Sequence, residues 1–144
     1  MSHPAHHAKT TPNKIAYVMA RSGDSITYRE LDARSNQAAQ FFRSQDLNPG
    51  DHIALLMENC IDFMVVCWAA QRSGLYFTAI SRYLTADEIA YIVQDCGARL
   101  VIGTPKTAEV LASLAAGANG SPAYYVTGNQ TIPNFNSWDK AVTT

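Results

Sequence analysis

The chain has 144 residues, a length that fits one domain and buries about 70% of its unfolded surface. With 47% hydrophobic and 16% charged residues it has the composition of a globular protein. A net charge of −1 without a basic run argues against nucleic acid or an anionic membrane surface as the main partner.

The longest apolar run, Phe63 to Ala70, falls far short of the roughly 20 residues of a bilayer-spanning helix. The first residues lack the apolar core and small-residue cleavage site of a signal peptide. Cys60, Cys67 and Cys96 are odd in number and form no CxxC pair. They sit in apolar helical patterns, as buried free thiols of a reducing cytosol do, so a cytoplasmic location is expected.

Residues 1–13 are polar and His-rich, with Pro4 and Pro12, and read as a flexible tail. Residues 14–144 read as one α/β unit. Ile15–Met19 and Ser25–Thr27 flank Ser22-Gly23-Asp24, the pattern of a β-hairpin. Thr27 and Glu30 form a capping box, with Ile26 and Leu31 as its hydrophobic staple, and open a helix over about 28–44. Leu31, Ser35, Ala38, Ala39 and Phe42 share its inner face.

Asn48-Pro49-Gly50-Asp51 is a turn, and His52–Met57 reads as a strand covered on both faces. Asn59 is the expected N-cap of a second helix that ends near Ser73-Gly74. Its run Phe63–Ala70 is apolar all round, so burial on several sides is expected. The same helix is a candidate for surface meant for a missing part of a longer protein.

Tyr76–Ile80 is a short strand. Thr85 and Glu88 form a second capping box, with a Leu84/Ile89 staple, and Gly97 closes that helix. Leu100–Ile102 is a buried strand. Thr104-Pro105 places a cap and an N1 proline ahead of a fourth helix reaching about Ala116. Ala123–Thr127 is a weaker strand, the tail from Gly128 is turn-rich, and a helical turn follows Ser137. The alternation predicts an α/β fold, a largely parallel sheet with flanking helices preceded by an N-terminal β-hairpin.

No GxxxxGK[ST], GxGxxG, HExxH, DxDG or GxSxG occurs. His3, His6 and His7 read as a solvated tail rather than a metal site, and His52 as a strand-edge histidine. Cys60 and Cys67 share a helix face and read as core. Asp87 and Glu88 are explained by a helix N-terminus. No catalytic and no metal-binding residue is assigned. Arg82 and Tyr83 lie between a strand's C-terminal end and a helix start, where α/β folds bind ligands. Two readings stand there: an arginine for a phosphate, or a solvated loop arginine.

In order, ITYRELDARSNQAAQFF, then Asn48-Pro49-Gly50-Asp51 with His52–Leu56, then Ala69-Ala70-Gln71-Arg72-Ser73-Gly74, then LTADEIAYIVQDCGARLVI resemble the N-terminal region of AMP-forming acyl-CoA synthetases. These belong to the adenylate-forming superfamily, with luciferases and peptide-synthetase adenylation domains. The resemblance covers about Thr11 to Gly103 and is nearest to the bacterial fatty-acyl-CoA ligase type.

The resemblance implies part of a large N-terminal domain and a two-step reaction with ATP, Mg²⁺ and coenzyme A. A carboxylate attacks the α-phosphate of ATP, and the coenzyme A thiol then displaces AMP. The family's Ser/Thr/Gly-rich loop ending in Pro-Lys-Gly has no counterpart here; Thr104-Pro105-Lys106 lacks the preceding run. The chain is therefore expected to be an inactive N-terminal fragment with no cofactor bound. Its expected partners are the rest of the parent enzyme, which takes a fatty or other carboxylic acid, and a second copy of itself. Some relatives place a coenzyme A phosphate contact at an arginine after the strand matching Tyr76–Ile80, which puts Tyr83, beside Arg82, at that position. The alternatives are a free-standing non-catalytic α/β binding or assembly module, and part of a peptide-synthetase adenylation domain.

Overall fold

The computed structural model describes residues 2–117, 122–128, 132–133 and 135–144. Of the turn-rich tail read from the sequence, residues 129–131 and 134 lie outside the described residues. Two strands, β1 (Ile15–Val18) and β2 (Ser25–Thr27), pair antiparallel as the hairpin. A second sheet has five strands: β3 (His52–Leu56), β4 (Tyr76–Ala79), β5 (Ala98–Gly103), β6 (Ala123–Val126) and β7 (Asn136–Ser137). Its order is β4-β3-β5-β6-β7 and every pairing is parallel.

The expected loose tail is instead partly helical. Helix α1 spans Pro4–Thr10. Pro4 at its start is preset for helical φ and is buried, and the His3 side chain caps the turn. The His3 ring lies edge-on to Trp68, and the His7 ring lies 4.9 Å from that of Tyr28. Aromatic packing thus holds a segment that composition alone marks as solvated.

Helix α2 (Tyr28–Ser44) starts at the expected capping box. The Glu30 amide donates to Thr27 Oγ1 at 3.2 Å, and Glu30 Oε2 accepts from the Thr27 amide at 2.8 Å. That backbone bond, ahead of the Thr27 hydroxyl, holds the Glu30 carboxyl below its ordinary value. Helix α4 (Ala86–Asp95) repeats the device through Thr85 and Glu88. Both staples form: Ile26 and Leu31 are buried together, and Leu84 packs beside buried Ile89.

Helix α3 (Ile61–Ser73) is capped by Cys60, not by the expected Asn59, and without a side-chain bond. Cys60 has the extended backbone of a cap, so the chain enters the helix one residue later. Gly74 closes it at φ 70°, the left-handed conformation that glycine adopts without strain. From Ile61 to Ala70 no residue of α3 is fully exposed: Val65, Val66, Ala69 and Ala70 are buried and the others half-buried. The large exposed apolar side chains lie elsewhere: Ile15 and Val18 on the hairpin, Tyr76 and Phe77 on edge strand β4, and Tyr83 and Tyr91.

The expected fourth helix begins differently. Pro105–Thr107 is a 3-10 turn, and α5 follows over Ala108–Ala116. The turn is tight because Thr107 N–H reaches back to the Thr104 carbonyl at 3.0 Å. Helix α6 (Trp138–Thr143) starts at Ser137, whose hydroxyl accepts from the Lys140 amide.

The sheet carries helices on both faces. On one face, α2, α3 and α6 cover Ile53, Leu55, Leu100, Ile102 and Tyr125. There Trp138 is 2% exposed and stands perpendicular to Phe41 at 5.5 Å. On the other face, α4 and α5 cover Ala54, Leu56, Val101 and Val126. A smaller cluster of Ile26, Leu31 and Val65, with Tyr17 and Trp68, joins the hairpin to α2 and α3. The central strand β3 is buried from Ile53 to Leu56, as its apolar run predicts.

Gly103 ends β5 where nothing larger fits. A Cβ there would lie 2.3 Å from Leu111 Cδ1 and 2.7 Å from Thr107 Oγ1. Gly103→Ala is expected to destabilise the fold by about 1–3 kcal/mol, read as a lowered urea midpoint. An unchanged midpoint would show that Leu111 and Thr107 yield freely.

Candidate functional site

All strands of a parallel sheet end at the same edge, and ligands of such folds sit there where the strand order reverses. Here the chain leaves β3 for β4 on one side, then returns past β3 to build β5, β6 and β7 on the other. The reversal therefore lies between the ends of β3 and β5.

Three side chains meet at that point. Thr104, only 2% exposed, donates its hydroxyl to Glu58 Oε2 at 2.6 Å. Thr107 Oγ1 accepts from the Thr104 amide at 3.0 Å and donates to the Leu56 carbonyl at 2.9 Å. Beyond them, the Gly128 amide donates to Asp139 Oδ1 at 3.3 Å, tying the end of β6 to α6.

Asp62, in the first turn of α3, lies nearby and pairs with Arg34 of α2. Burial raises its carboxyl above the ordinary value; Arg34 opposes the rise, while Asp139 and Glu58 add to it. A cleft of about 430 Å³ opens beside this pair, with Arg34, Gln37 and Lys140 on its walls and Val65 and Trp138 at its floor. This edge is a hydrogen-bonding rim. Its residues hold one another in place.

Arg82 and Tyr83 fall at the same edge, after β4 and one strand from the reversal. Arg82 Nη2 donates to the Tyr83 phenol at 2.7 Å, and its guanidinium carbon stands 4.5 Å over the Tyr83 ring centre. Tyr83 is 81% exposed. Among the described residues no carboxylate pairs with Arg82, which is exposed. No hydrogen bond among the described residues joins this pair to Glu58 or Thr104.

The remaining sequence candidates are placed structurally. His52 stacks on Tyr76 at 5.0 Å, at the opposite end of the strands. Burial raises the Cys60 thiol and pushes Cys67 up to about 11, which leaves both poor nucleophiles. Glu88 is held in its capping box beside Asp87. Among the described residues no group of three or more His, Cys, Asp or Glu is placed to hold a metal ion. Sequence reasoning missed Glu58, Thr104 and Thr107 as a group. Their signal is polar side chains at the ends of two apolar strands, and only the strand order makes them neighbours.

The family model described as AMP-binding enzyme matches residues 4–139. A feruloyl-CoA synthase of an Amycolatopsis species is 32% identical over 116 residues, which is 81% of this chain and 23% of that protein. The long-chain-fatty-acid–CoA ligase FadD13 of Mycobacterium tuberculosis is 30% identical over 112 residues, 78% of this chain and 22% of that one. Gramicidin S synthase 2 of Brevibacillus brevis is 30% identical over 92 residues, 64% of this chain and 2% of that one. The chain thus spans under a quarter of these curated relatives.

Among solved structures, a fatty acyl CoA synthetase of Mycobacterium tuberculosis superposes with a TM-score of 0.82 at 24% identity, covering 98% of this chain and 27% of that one. The anthranilate CoA ligase AuaEII gives a TM-score of 0.84 at 18% identity, covering 99% of this chain and 28% of that one. At such identities these likenesses speak for the fold. With the family model matching nearly the whole sequence, the chain belongs to the AMP-binding enzyme family.

Proposed function

We propose that this chain is the N-terminal part of an ATP-dependent acyl-CoA ligase acting on a fatty or related carboxylic acid. The observation that carries the reading is the family match over residues 4–139, joined to relatives named as a CoA synthase and a CoA ligase, of which this chain covers 23% and 22%. In the proposed reaction a carboxylate oxygen attacks the α-phosphorus of ATP and pyrophosphate leaves. The coenzyme A thiol sulfur then attacks the acyl carbon and AMP leaves. Mg²⁺ would offset the phosphate charge in the first step. No residue of this chain is assigned to ATP or Mg²⁺.

Coenzyme A is proposed as the ligand of the loop after β4. Arg82 and Tyr83 are proposed as a contact for one of its phosphates, supported by exposure, position at the strand ends and the absence of a carboxylate partner among the described residues. A cytoplasmic setting is proposed from the three free thiols. Self-association is proposed through exposed apolar residues such as Tyr76 and Phe77 on the β4 edge. Membership of a peptide-synthetase adenylation domain is the second reading, favoured by the gramicidin synthase likeness. A carrier domain downstream in the same reading frame would select it.

The 144-residue chain, given ATP, Mg²⁺ and fatty acids, is expected to release no pyrophosphate above the blank. Robust turnover would contradict the division of labour proposed here. In the longer ligase, Arg82→Gln is expected to raise the KM for coenzyme A about tenfold with kcat held, as loss of a ground-state phosphate contact does. An unchanged KM would remove Arg82 from the site.

A further inference from the structure

We infer that His3 is a pH-sensitive latch for helix α1: its neutral imidazole caps the helix beside Trp68, and protonation removes the cap. The cap bond runs from the Ala5 amide to His3 Nδ1 at 3.1 Å. An accepting Nδ1 carries a lone pair, so the proton of the neutral ring sits on Nε2. A second proton, taken from solvent, goes onto Nδ1 and removes the acceptor.

The ring's other contact is edge-on to Trp68, with centroids 5.1 Å apart and planes at 81°. Trp68 is itself fixed, because its indole N–H donates to the Tyr17 phenol at 2.9 Å. His3 therefore joins α1 to α3 and, through Trp68, to β1.

The charges around the ring decide what protonation does. Arg72 of α3 and Asp32 of α2 act on it, and α1 itself carries His6, His7 and Lys9. Arg72 and Asp32 are paired at 3.0 Å, and Arg72 also donates to Asn36, so the acidic partner is already engaged. Arg72 Nε is buried without a hydrogen-bond partner, so Arg72 presents further positive charge and no acceptor. A cation on His3 meets the positive charge of Arg72, which Asp32 offsets in part.

Burial first, then Arg72, lower the His3 value from its ordinary 6.5, with Asp32 opposing. A histidine whose folded value is lowered contributes its full stability above the unfolded value. That contribution is lost as pH falls through the folded value. Docking of α1 is thus complete above about pH 6.5 and weakens below it.

NMR on the whole chain tests this from pH 8 to pH 5, following His3, the Trp68 indole N–H and the ¹³Cα shifts of residues 4–10. In the wild type, the helical ¹³Cα shifts are expected to collapse toward coil with the His3 midpoint, and the Trp68 indole signal to move with them. His3→Asn supplies a cap acceptor that does not titrate. It is expected to keep the helical shifts across the whole range. Helical shifts that stay flat to pH 5 in the wild type would overturn the latch. So would an equal collapse in His3→Asn, which would assign the release to His6, His7 or other groups.

Discussion

One hydroxyl joins the two central strands to the turn that follows them. Thr107 Oγ1 lies 2.7 Å from where a Cβ at residue 103 would be, taking a bond from the Thr104 amide and giving one to the Leu56 carbonyl. Only a glycine at the end of β5 leaves that space. The bond to Leu56 closes the end of β3, and the bond from Thr104 fixes the turn that sends the chain into α5. Both groups are buried, so loss of the hydroxyl would leave a buried donor and acceptor unmet. The order of the sheet passes through this point, because the strand order reverses between β3 and β5.

The rest of the architecture follows from that pair. Strands β3 and β5 alternate their side chains between two apolar layers, and the helices settle where each layer needs cover. Trp138 closes one layer against Phe41, Phe42 and Tyr125, so the last helix belongs to the same core as the first long one. The polar residues left over at the strand ends hold each other: Thr104 with Glu58, Gly128 with Asp139, Arg34 with Asp62. Arg82 differs, since its hydrogen-bond partner among the described residues is a neutral phenol on the neighbouring residue.

Much of the fold was legible because it rests on local rules. The two capping boxes, their staples, the glycine closing α3 and the apolar strands β3 and β5 each follow from a few adjacent residues. What escaped depends on distant ones. The helix at 4–10 forms because His3 and His7 find Trp68 and Tyr28, which lie far along the chain. Strand β7 is two residues long and carries no alternation of its own; pairing with β6 defines it. The reversal between β3 and β5 brings Glu58 to Thr104 across 46 residues, a neighbourhood that no local pattern encodes. The Arg82–Tyr83 loop was named from its place after a strand, which is a local signal, whereas its ligand is not.

Membership of the AMP-binding enzyme family accounts for why so short a chain carries so well-formed a sheet. The motifs that carry the family resemblance are mostly caps, turns and core positions, and they build a platform before they build chemistry. The physical centre of that platform is the β3–β5 pair locked by Thr107. Amide hydrogen exchange on the chain measures this most directly. The slowest amides should be those of β3 and β5 together with Thr104, with the edge strands β4 and β7 exchanging well ahead of them. Slowest exchange in β4, or a Thr104 amide that exchanges as freely as the exposed turns, would contradict it.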